Sequence, residues 1–186
     1  MLTARHLLSL TLTVLIFSLP SNAQNPRTEH LLRTGWRFTR DDSPLNAAVR
    51  CDESRWERVT VPHDWAISGP FDNDNDRQMV AIEQNGESVA TEKTGRTGAL
   101  PWTGIGWYRL HFKVAKHTDR AVLMFDGAMA EPEVYVNGTK VGEWKYGYTP
   151  FFIDITSYVH KGRQPNVLAV RLQNLPESSR WYPGAG

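Results

Sequence analysis

Apolar and polar residues alternate with a period of two along much of the chain, which is the pattern of half-buried β-strands. Residues 106–114 give the clearest example, because one face of a strand there collects the apolar side chains Tyr108, Leu110, Phe112 and Val114. The opposite face collects the charged side chains Arg109, His111 and Lys113. The pattern predicts a strand with one face in a core and the other toward solvent.

Other runs predict further strands and one tight hairpin. Asn137 and Gly138 stand between two strand-like runs over residues 134–141, and Asn-Gly is the strongest short hairpin signal because both turn residues take positive φ. Residues 121–125 are apolar on both faces, so we expect a strand covered on two sides at the centre of its sheet. The remaining predicted strands are residues 36–38, 58–61, 151–155 and 166–172.

The spacing of these strands predicts the fold class. No part of the chain after residue 23 shows the period of a three-turn helix, and fourteen Gly and eleven Pro favour short elements joined by turns. At least six short strands predict an all-β fold, an antiparallel β-sandwich of two sheets. Residues 68–101 interrupt the alternation, so we expect a long connection of the functional or mobile kind. The 186 residues suit one domain and are too few for a (β/α)₈ barrel of about 250.

The first 23 residues have the order of a secretory signal peptide. Arg5 precedes an apolar run over residues 7–19, which the small and polar residues Ser21, Asn22 and Ala23 follow. Signal peptidase cleaves after this order of regions, and the apolar run is short for a membrane span. We expect cleavage after Ala23, export to the periplasm or the extracellular space, and a mature domain over residues 24–186 without membrane contact. A retained membrane anchor is the alternative.

Charge and cysteine content exclude several classes of partner and cofactor. The 21 Lys and Arg against 20 Asp and Glu give a net charge of +1, so no basic excess favours nucleic acid as a partner. Cys51 is the one cysteine, which excludes an internal disulfide and a metal site built on several thiolates. No base stands beside it in the sequence, so we interpret it as a tolerated loop thiol. We expect no cofactor and no metal.

Acidic and histidine side chains give no strong sign of independent catalysis. Five glutamates lie in polar contexts, without the burial that raises an acid's pKa: Glu83, Glu87, Glu92, Glu131 and Glu133. We therefore expect no catalytic residue in this chain. We expect His63 to fix its loop together with Asp64 as a buried polar pair.

One oxygen-rich stretch matches a calcium-loop template at positions one, three, five, seven and twelve: Asp72, Asp74, Asp76, Gln78 and Glu83. Arg77 stands where the template needs glycine, and no helix flanks the stretch. We favour solvated turn acids there, and leave open whether residues 72–83 bind an ion.

Several strings resemble the N-terminal sugar-binding domain of family 2 glycoside hydrolases, which include β-galactosidases, β-glucuronidases and β-mannosidases. The resemblance covers most of the mature chain and is carried by residues 61–65 with 69–72, 104–109, 125–128, 134–138, 147–151 and 179–186. The string Pro-His-Asp-Trp, together with Trp-Tyr-Pro-Gly-Ala-Gly, is most similar to exported bacterial β-galactosidases.

The resemblance implies a jelly-roll-like, galactose-binding-domain-like sandwich that begins a longer chain with an immunoglobulin-like domain and a catalytic barrel. Retaining hydrolysis by two glutamates about 5 Å apart would lie on that barrel, and those glutamates have no counterpart here, so the chain resembles a truncated protein or a fragment. Some β-galactosidases of the family place an Asn and an Asp at the edge of the catalytic pocket. Thr103 and Arg180 stand at the matching positions, which puts the direct sugar contacts in doubt. Arg180 offers a planar fork of donors for sugar hydroxyls or for an acid of the barrel, against the alternative of a surface or interdomain salt bridge.

Aromatic residues are the other candidates for sugar contact, because their flat faces stack on the C–H face of a sugar ring. We expect Trp102, beside Pro101, to be an exposed platform, and Trp107, Trp144 and Trp181 to lie in the core or in a domain interface. Tyr146, Tyr148 and Tyr182 complete the set. The candidate substrate-binding residues are therefore Arg180, Trp102 and Thr103.

These inferences lead to one functional hypothesis. The chain is predicted to be the sugar-binding and scaffold domain of an exported family 2 glycoside hydrolase, most similar to β-galactosidases, that completes the pocket of a catalytic barrel and is inactive alone. Its partners would be that barrel and a β-galactoside-type glycan. The alternatives are a free-standing carbohydrate-binding module and a domain of a β-mannosidase or β-glucuronidase.

Overall fold

The structure, a computed structural model, describes residues 27–65 and 104–175, together with the backbone of residues 77–84 and 87–94. In chain order the strands are β1 (Trp36–Thr39), β2 (Glu57–Val59), β3 (Arg77–Gln84), β4 (Glu87–Thr94), β5 (Gly104–Phe112), β6 (Val122–Phe125), β7 (Glu133–Val136), β8 (Thr139–Glu143), β9 (Phe151–Asp154) and β10 (Asn166–Asn174). A 3-10 helix, Pro44–Ala47, lies between β1 and β2. None of the helices in the described ranges has the length and apolar character needed to cross a membrane.

The chain divides into two compact units, Met1–Leu31 and Leu32–Gly186. In the first unit the structure describes residues 27–31, where Arg27 Nη2 lies 2.9 Å from Glu29 Oε1. All the strands belong to the second unit.

Six antiparallel strands form the larger sheet, in the order β2-β1-β5-β10-β7-β8. Its longest pairing joins β5 to β10, from Asn166 opposite Phe112 to Asn174 opposite Gly104. Both strands have neighbours on each side, and seven of the nine residues of β10 are buried. The centre of the domain is therefore the β5–β10 pair.

The second sheet pairs β6 with β9 in antiparallel register, with Phe125 opposite Phe151. Apolar residues of both sheets pack into one core that includes Trp36, Phe38, Trp65, Tyr108, Leu110, Leu123, Val134, Val136, Phe151, Ile153, Leu168, Val170 and Leu172. Burying one side chain of this size contributes roughly 1.5–3 kcal/mol. This shared core holds the two layers together, and it confirms the all-β, two-sheet antiparallel sandwich.

The predicted hairpin and the predicted core face of β5 are both confirmed. Asn137 and Gly138 have φ values of 51° and 84° and join β7 to β8. Tyr108 and Leu110 lie in the core between the sheets. The Asn137 side chain accepts from the Val167 N–H at 2.9 Å, and so ties the turn to β10. We call this end of the sandwich, where β7 turns into β8, the hairpin end.

Two expectations about the strands are wrong. Residues 122–125 are not covered on both faces, because Met124 is 55% exposed, and within the described residues β6 pairs with β9 alone. Apolar composition does not reveal which face of a strand is covered. Residues 68–101 contain regular structure, since β3 and β4 form an antiparallel hairpin with Gln84 opposite Glu87. The sequence does carry a signal for this hairpin, because Asn85 and Gly86 follow the apolar run 79–82.

The outer face of the larger sheet is covered by residues 41–56, which we call the covering segment. Arg109 points to this face from β5 and is fully buried there. Its Nη1 donates to the carbonyl oxygens of Asn46 at 2.5 Å and Ala48 at 3.0 Å, and its guanidinium lies 5.9 Å from the centre of the Trp56 ring. The prediction that this face meets solvent is therefore wrong at Arg109, although His111 on the same face is exposed.

Candidate functional site

The ends of six strands meet at the end of the sandwich opposite the hairpin end. Gly104 begins β5 directly opposite Asn174, where β10 ends. At the same end, β7 begins and β8 ends with Glu133 and Glu143 as cross-strand partners. There too, β6 ends and β9 begins with Phe125 and Phe151 as cross-strand partners. Two seven-residue loops, 126–132 and 144–150, connect these ends. We call this surface, made of the two loops with the adjoining strand ends, the loop end.

The two loops pack directly on each other. The Trp144 backbone N–H donates to the Pro132 carbonyl at 3.0 Å. A Cβ built on Gly147 would lie 3.0 Å from Cβ of Met129, so glycine at this position allows the close approach of the loops. The loop end is thus one contiguous surface.

The predicted substrate-binding residues Trp102, Thr103 and Arg180 lie outside the described residues, so their role as sugar contacts stays a prediction. Thr103 directly precedes Gly104, and Arg180 follows Asn174 by six positions in the sequence. Because Gly104 and Asn174 are cross-strand partners, the chain enters β5 and leaves β10 at the same place. All three predicted contacts are therefore close in sequence to residues of the loop end.

Aromatic rings form an ordered group at the loop end. Phe151 is buried and stacks with Phe125 at a centroid distance of 4.7 Å, with 4° between the ring planes. It also stacks with Trp144 at 5.6 Å and 12°. Trp144 is 40% exposed, and its Nε1–H donates to Thr149 Oγ1 at 3.2 Å.

Two tyrosines lie beside this group on the same loop. The Tyr146 and Tyr148 rings contact each other at 5.7 Å, and both side chains are exposed. The sequence indicated Trp144 and these tyrosines as aromatic candidates for sugar contact, but it did not indicate that their side chains are exposed. Trp107 is buried as predicted, Trp144 is not a core residue of this chain, and Trp181 lies outside the described residues.

Charged side chains border the loop end in two paired groups. Arg171 on β10 binds Asp42 of the covering segment through two hydrogen bonds of 2.9 Å, from Nε and from Nη2. The Asp42 carboxylate also accepts from Trp107 Nε1 at 2.8 Å. Hydrogen bonding to Arg171 is the main cause that holds the pKa of Asp42 below its ordinary value. The second group is Lys140, whose Nζ donates to Glu133 at 2.6 Å and to Glu143 at 2.7 Å, which raises the pKa of the lysine.

The 126–132 loop is fixed to the end of β10. The Gln173 backbone N–H donates to the Ala130 carbonyl at 2.8 Å, and its side-chain amide donates to Glu131 Oε2 at 3.2 Å. Of the candidate catalytic glutamates with described side chains, Glu131 is thus bound by an amide and Glu133 by Lys140.

The candidate metal ligands do not form a metal site among the residues that the structure describes. Among residues 27–65 and 104–175, no group of three His, Cys, Asp or Glu side chains is placed to hold a metal ion. Gln78 and Glu83 of the calcium-loop template lie in β3, whereas Asp72, Asp74 and Asp76 lie outside the described residues. Cys51 is half-buried, and burial raises the pKa of its thiol, which disfavours the reactive thiolate.

His63 lies at the end of its loop that is next to the core. Its Nδ1 is 2.8 Å from the Tyr108 hydroxyl, a contact that the sequence did not indicate, since Asp64 was the expected partner. Burial is the main cause that lowers the pKa of the His63 imidazole from 6.5, with Glu57 and Asp64 opposing the shift and Arg40 adding to it. The pKa of Tyr108 is raised, also mainly by burial.

The lowered pKa of His63 predicts a pH dependence of stability. The unfolded chain binds a proton at His63 more readily than the folded chain, so the free energy of unfolding falls as the pH drops below 6.5 and is fully kept above it. In His63→Asn, whose amide replaces the imidazole as a hydrogen-bonding partner of the Tyr108 hydroxyl, this part of the acid destabilisation is expected to disappear. Urea unfolding of both proteins at pH 8 and pH 5.5 measures it. An identical loss of stability in both proteins would contradict the assignment.

Comparisons with known proteins agree with this geometry. The family model described as the sugar binding domain of glycosyl hydrolases family 2 matches residues 30–185. A beta-galactosidase of Bacteroides ovatus is 37% identical over 169 residues, which are 89% of this chain and 18% of that protein. A beta-glucuronidase of Bacteroides fragilis is 28% identical over 173 residues, which are 90% of this chain and 19% of that protein.

The fold has the same relatives among solved structures. The crystal structure of a family 2 glycosyl hydrolase from Bacteroides cellulosilyticus superposes with a TM-score of 0.67 at 31% identity, over 84% of this chain and 19% of that chain. The present chain spans less than a fifth of the length of these relatives.

Proposed function

Because the chain belongs to glycoside hydrolase family 2, as one of its sugar-binding domains, we propose that it acts as the non-catalytic sugar-binding and support module of a β-galactosidase. In this role it contributes one wall of a substrate pocket whose catalytic groups lie on a barrel domain. The observation that carries the proposal is the loop end, where β5 begins opposite the end of β10. The predicted contacts Thr103 and Arg180 adjoin these two strand ends in the sequence.

Sequence similarity supports a galactoside, since the relative at 37% identity is a beta-galactosidase. Arg171 is bound to Asp42, and Lys140 is bound to Glu133 and Glu143, so neither is available for the carboxylate of a glucuronide. Lys145, in the 144–150 loop, is exposed and is the cation of the described loop end that a glucuronide could use. The similarity to a beta-glucuronidase keeps a glucuronide as the second candidate.

A domain exchange tests the proposal. Replacing the matched segment of the Bacteroides ovatus beta-galactosidase with this chain is expected to retain hydrolysis of nitrophenyl β-galactoside, whereas deleting that segment should lower kcat/KM by about a hundredfold or more, as misplacement of positioning groups does. This chain alone should leave the substrate unhydrolysed.

Two results of the same assay would contradict the proposed function. Turnover by the isolated chain above a buffer control would show that the chain carries its own catalytic groups. A hybrid enzyme that gains hydrolysis of nitrophenyl β-glucuronide and loses that of the galactoside would favour the glucuronidase alternative.

We further propose that the domain is exported. The support is the order of basic, apolar and small residues over positions 1–23. Expression with the native N-terminus in a Gram-negative host should give a mature protein that begins at Gln24 and is recovered outside the cytoplasm. An intact mass that still includes Met1 would contradict cleavage.

A further inference from the structure

Trp144 is the exposed member of an aromatic stack that is anchored in the core. Phe151, its stacking partner, is 3% exposed and belongs to the shared core, and Phe125 stacks on Phe151 in turn. The two angles between ring planes, 4° and 12°, keep the three rings nearly parallel. An aromatic ring that emerges from the core in this way presents a flat apolar surface to solvent.

Two hydrogen bonds fix the position of Trp144. Its backbone N–H is held by the Pro132 carbonyl, and its indole N–H by the Thr149 hydroxyl. A side chain that is ordered before binding loses little conformational entropy when a ligand arrives. The indole is thus preorganised, unlike a tryptophan on a free loop.

The surroundings of Trp144 define the chemistry of a ligand. A flat apolar ring bordered by hydrogen-bonding groups suits a molecule with one C–H face and a rim of hydroxyl groups, which describes a pyranose ring. The Thr149 hydroxyl lies beside the indole, 3.2 Å from Nε1. Lys145 follows Trp144 in the same loop and is exposed, so the loop offers a hydrogen-bond donor as well.

We propose that Trp144 is a stacking platform for a pyranose ring, with Thr149 as the residue that positions the indole. This rests on the proposed function, because it gives the loop end a defined sugar contact. A single stacked ring with few hydrogen bonds gives weak affinity, with a Kd on the order of 1 mM or higher. Such a site produces little heat in calorimetry but is detectable by saturation transfer.

Saturation-transfer difference NMR on the full chain tests the platform, with methyl β-galactopyranoside and methyl β-glucuronide as probes. In both probes the protons of the C–H face should receive the strongest saturation. Trp144→Ala is expected to raise the galactoside Kd by about three- to tenfold, as the loss of an aromatic contact does. Thr149→Val, which leaves the indole in place without its acceptor, should give a smaller rise in Kd.

Tyr158→Ala is the matched control. Tyr158 is 41% exposed, close to the 40% of Trp144, and its carbonyl accepts from Asn137 at the hairpin end. It should leave the saturation of the galactoside unchanged. Near-ultraviolet circular dichroism of each variant checks that the core is intact, and Thr149→Val keeps the test valid if Trp144→Ala does not fold.

The outcomes separate this inference from the proposed function. Saturation that is lost in Trp144→Ala and kept in Tyr158→Ala supports the platform. Unchanged saturation in Trp144→Ala, or absence of saturation of both probes by the unmodified chain, would each overturn it. In those cases an active domain-exchange enzyme would still support the module, with Trp144 then a contact for the neighbouring domain.

Discussion

Gly106→Ala is expected to destabilise the domain by about 3 kcal/mol, at the upper end of what overpacking of a core costs. A Cβ at residue 106 would lie 1.6 Å from Cζ3 and 2.2 Å from Cε3 of Trp65. Trp65 is fully buried, and it stacks with Tyr108 at 6.3 Å and contacts Phe38 at 5.4 Å, so its ring has no free space to move into. Urea unfolding, followed by circular dichroism, measures the loss.

The double variant Gly106→Ala with Trp65→Leu is the control for this prediction. The shorter leucine removes the collision, so the double variant should be less destabilised than the sum of the two single variants, by about 0.5–3 kcal/mol of coupling energy. Simple additivity would contradict the close approach. So would a Gly106→Ala protein with unchanged stability.

Arg109→Met is expected to destabilise the domain by about 2 kcal/mol, within the range that an unsatisfied buried acceptor costs. The change leaves the Asn46 carbonyl without the Arg109 donor, and it leaves the Ala48 carbonyl with the Cys51 N–H alone. It also removes the cation whose Nε lies 3.8 Å from Glu53 Oε1, although Glu53 keeps His111 as a partner. The covering segment should then detach from the sheet before the rest of the domain unfolds. Urea unfolding and limited proteolysis within residues 41–56 measure the two effects.

Arg37→Met is the matched control for Arg109→Met. Arg37 lies directly opposite Arg109 on β1, but it is only half-buried, and its hydrogen bond to the Trp56 carbonyl is 3.5 Å long. Its replacement should cost less than about 1 kcal/mol, as expected for one modest hydrogen bond. Equal losses in the two variants, or unchanged cleavage of the covering segment in Arg109→Met, would contradict the role assigned to Arg109.

The sequence predicted those parts of the fold that depend on local pattern. The alternation around Tyr108 and Leu110 placed the core face of β5, and Asn137 with Gly138 located the hairpin. Features that depend on distant parts of the chain were not predictable. Arg109 has the composition of a solvent face, and it is buried by a segment about 60 positions earlier in the sequence. Met124 is apolar and yet exposed.

The candidate site was predictable to a similar extent. Stacking aromatics were identified by type, and Thr103 and Arg180 by resemblance. Gly104 and Asn174, which lie near Thr103 and Arg180 in the sequence, are cross-strand partners. Their pairing depends on strand register, which no local sequence pattern reveals. The exposure of Trp144 depends on where β8 and β9 end and on how the 126–132 loop packs against the 144–150 loop.

We propose that the loop end is the surface through which this domain contacts sugar. Titration of the ¹⁵N-labelled full chain with methyl β-galactopyranoside, followed by backbone amide shifts, tests this proposal. Shifts are expected to be concentrated at Gly104, Glu131, Lys145 and Gln173, with Asn137, Gly138 and Gly162 unchanged. Shifts concentrated at the hairpin end, with the loop end unchanged, would contradict it.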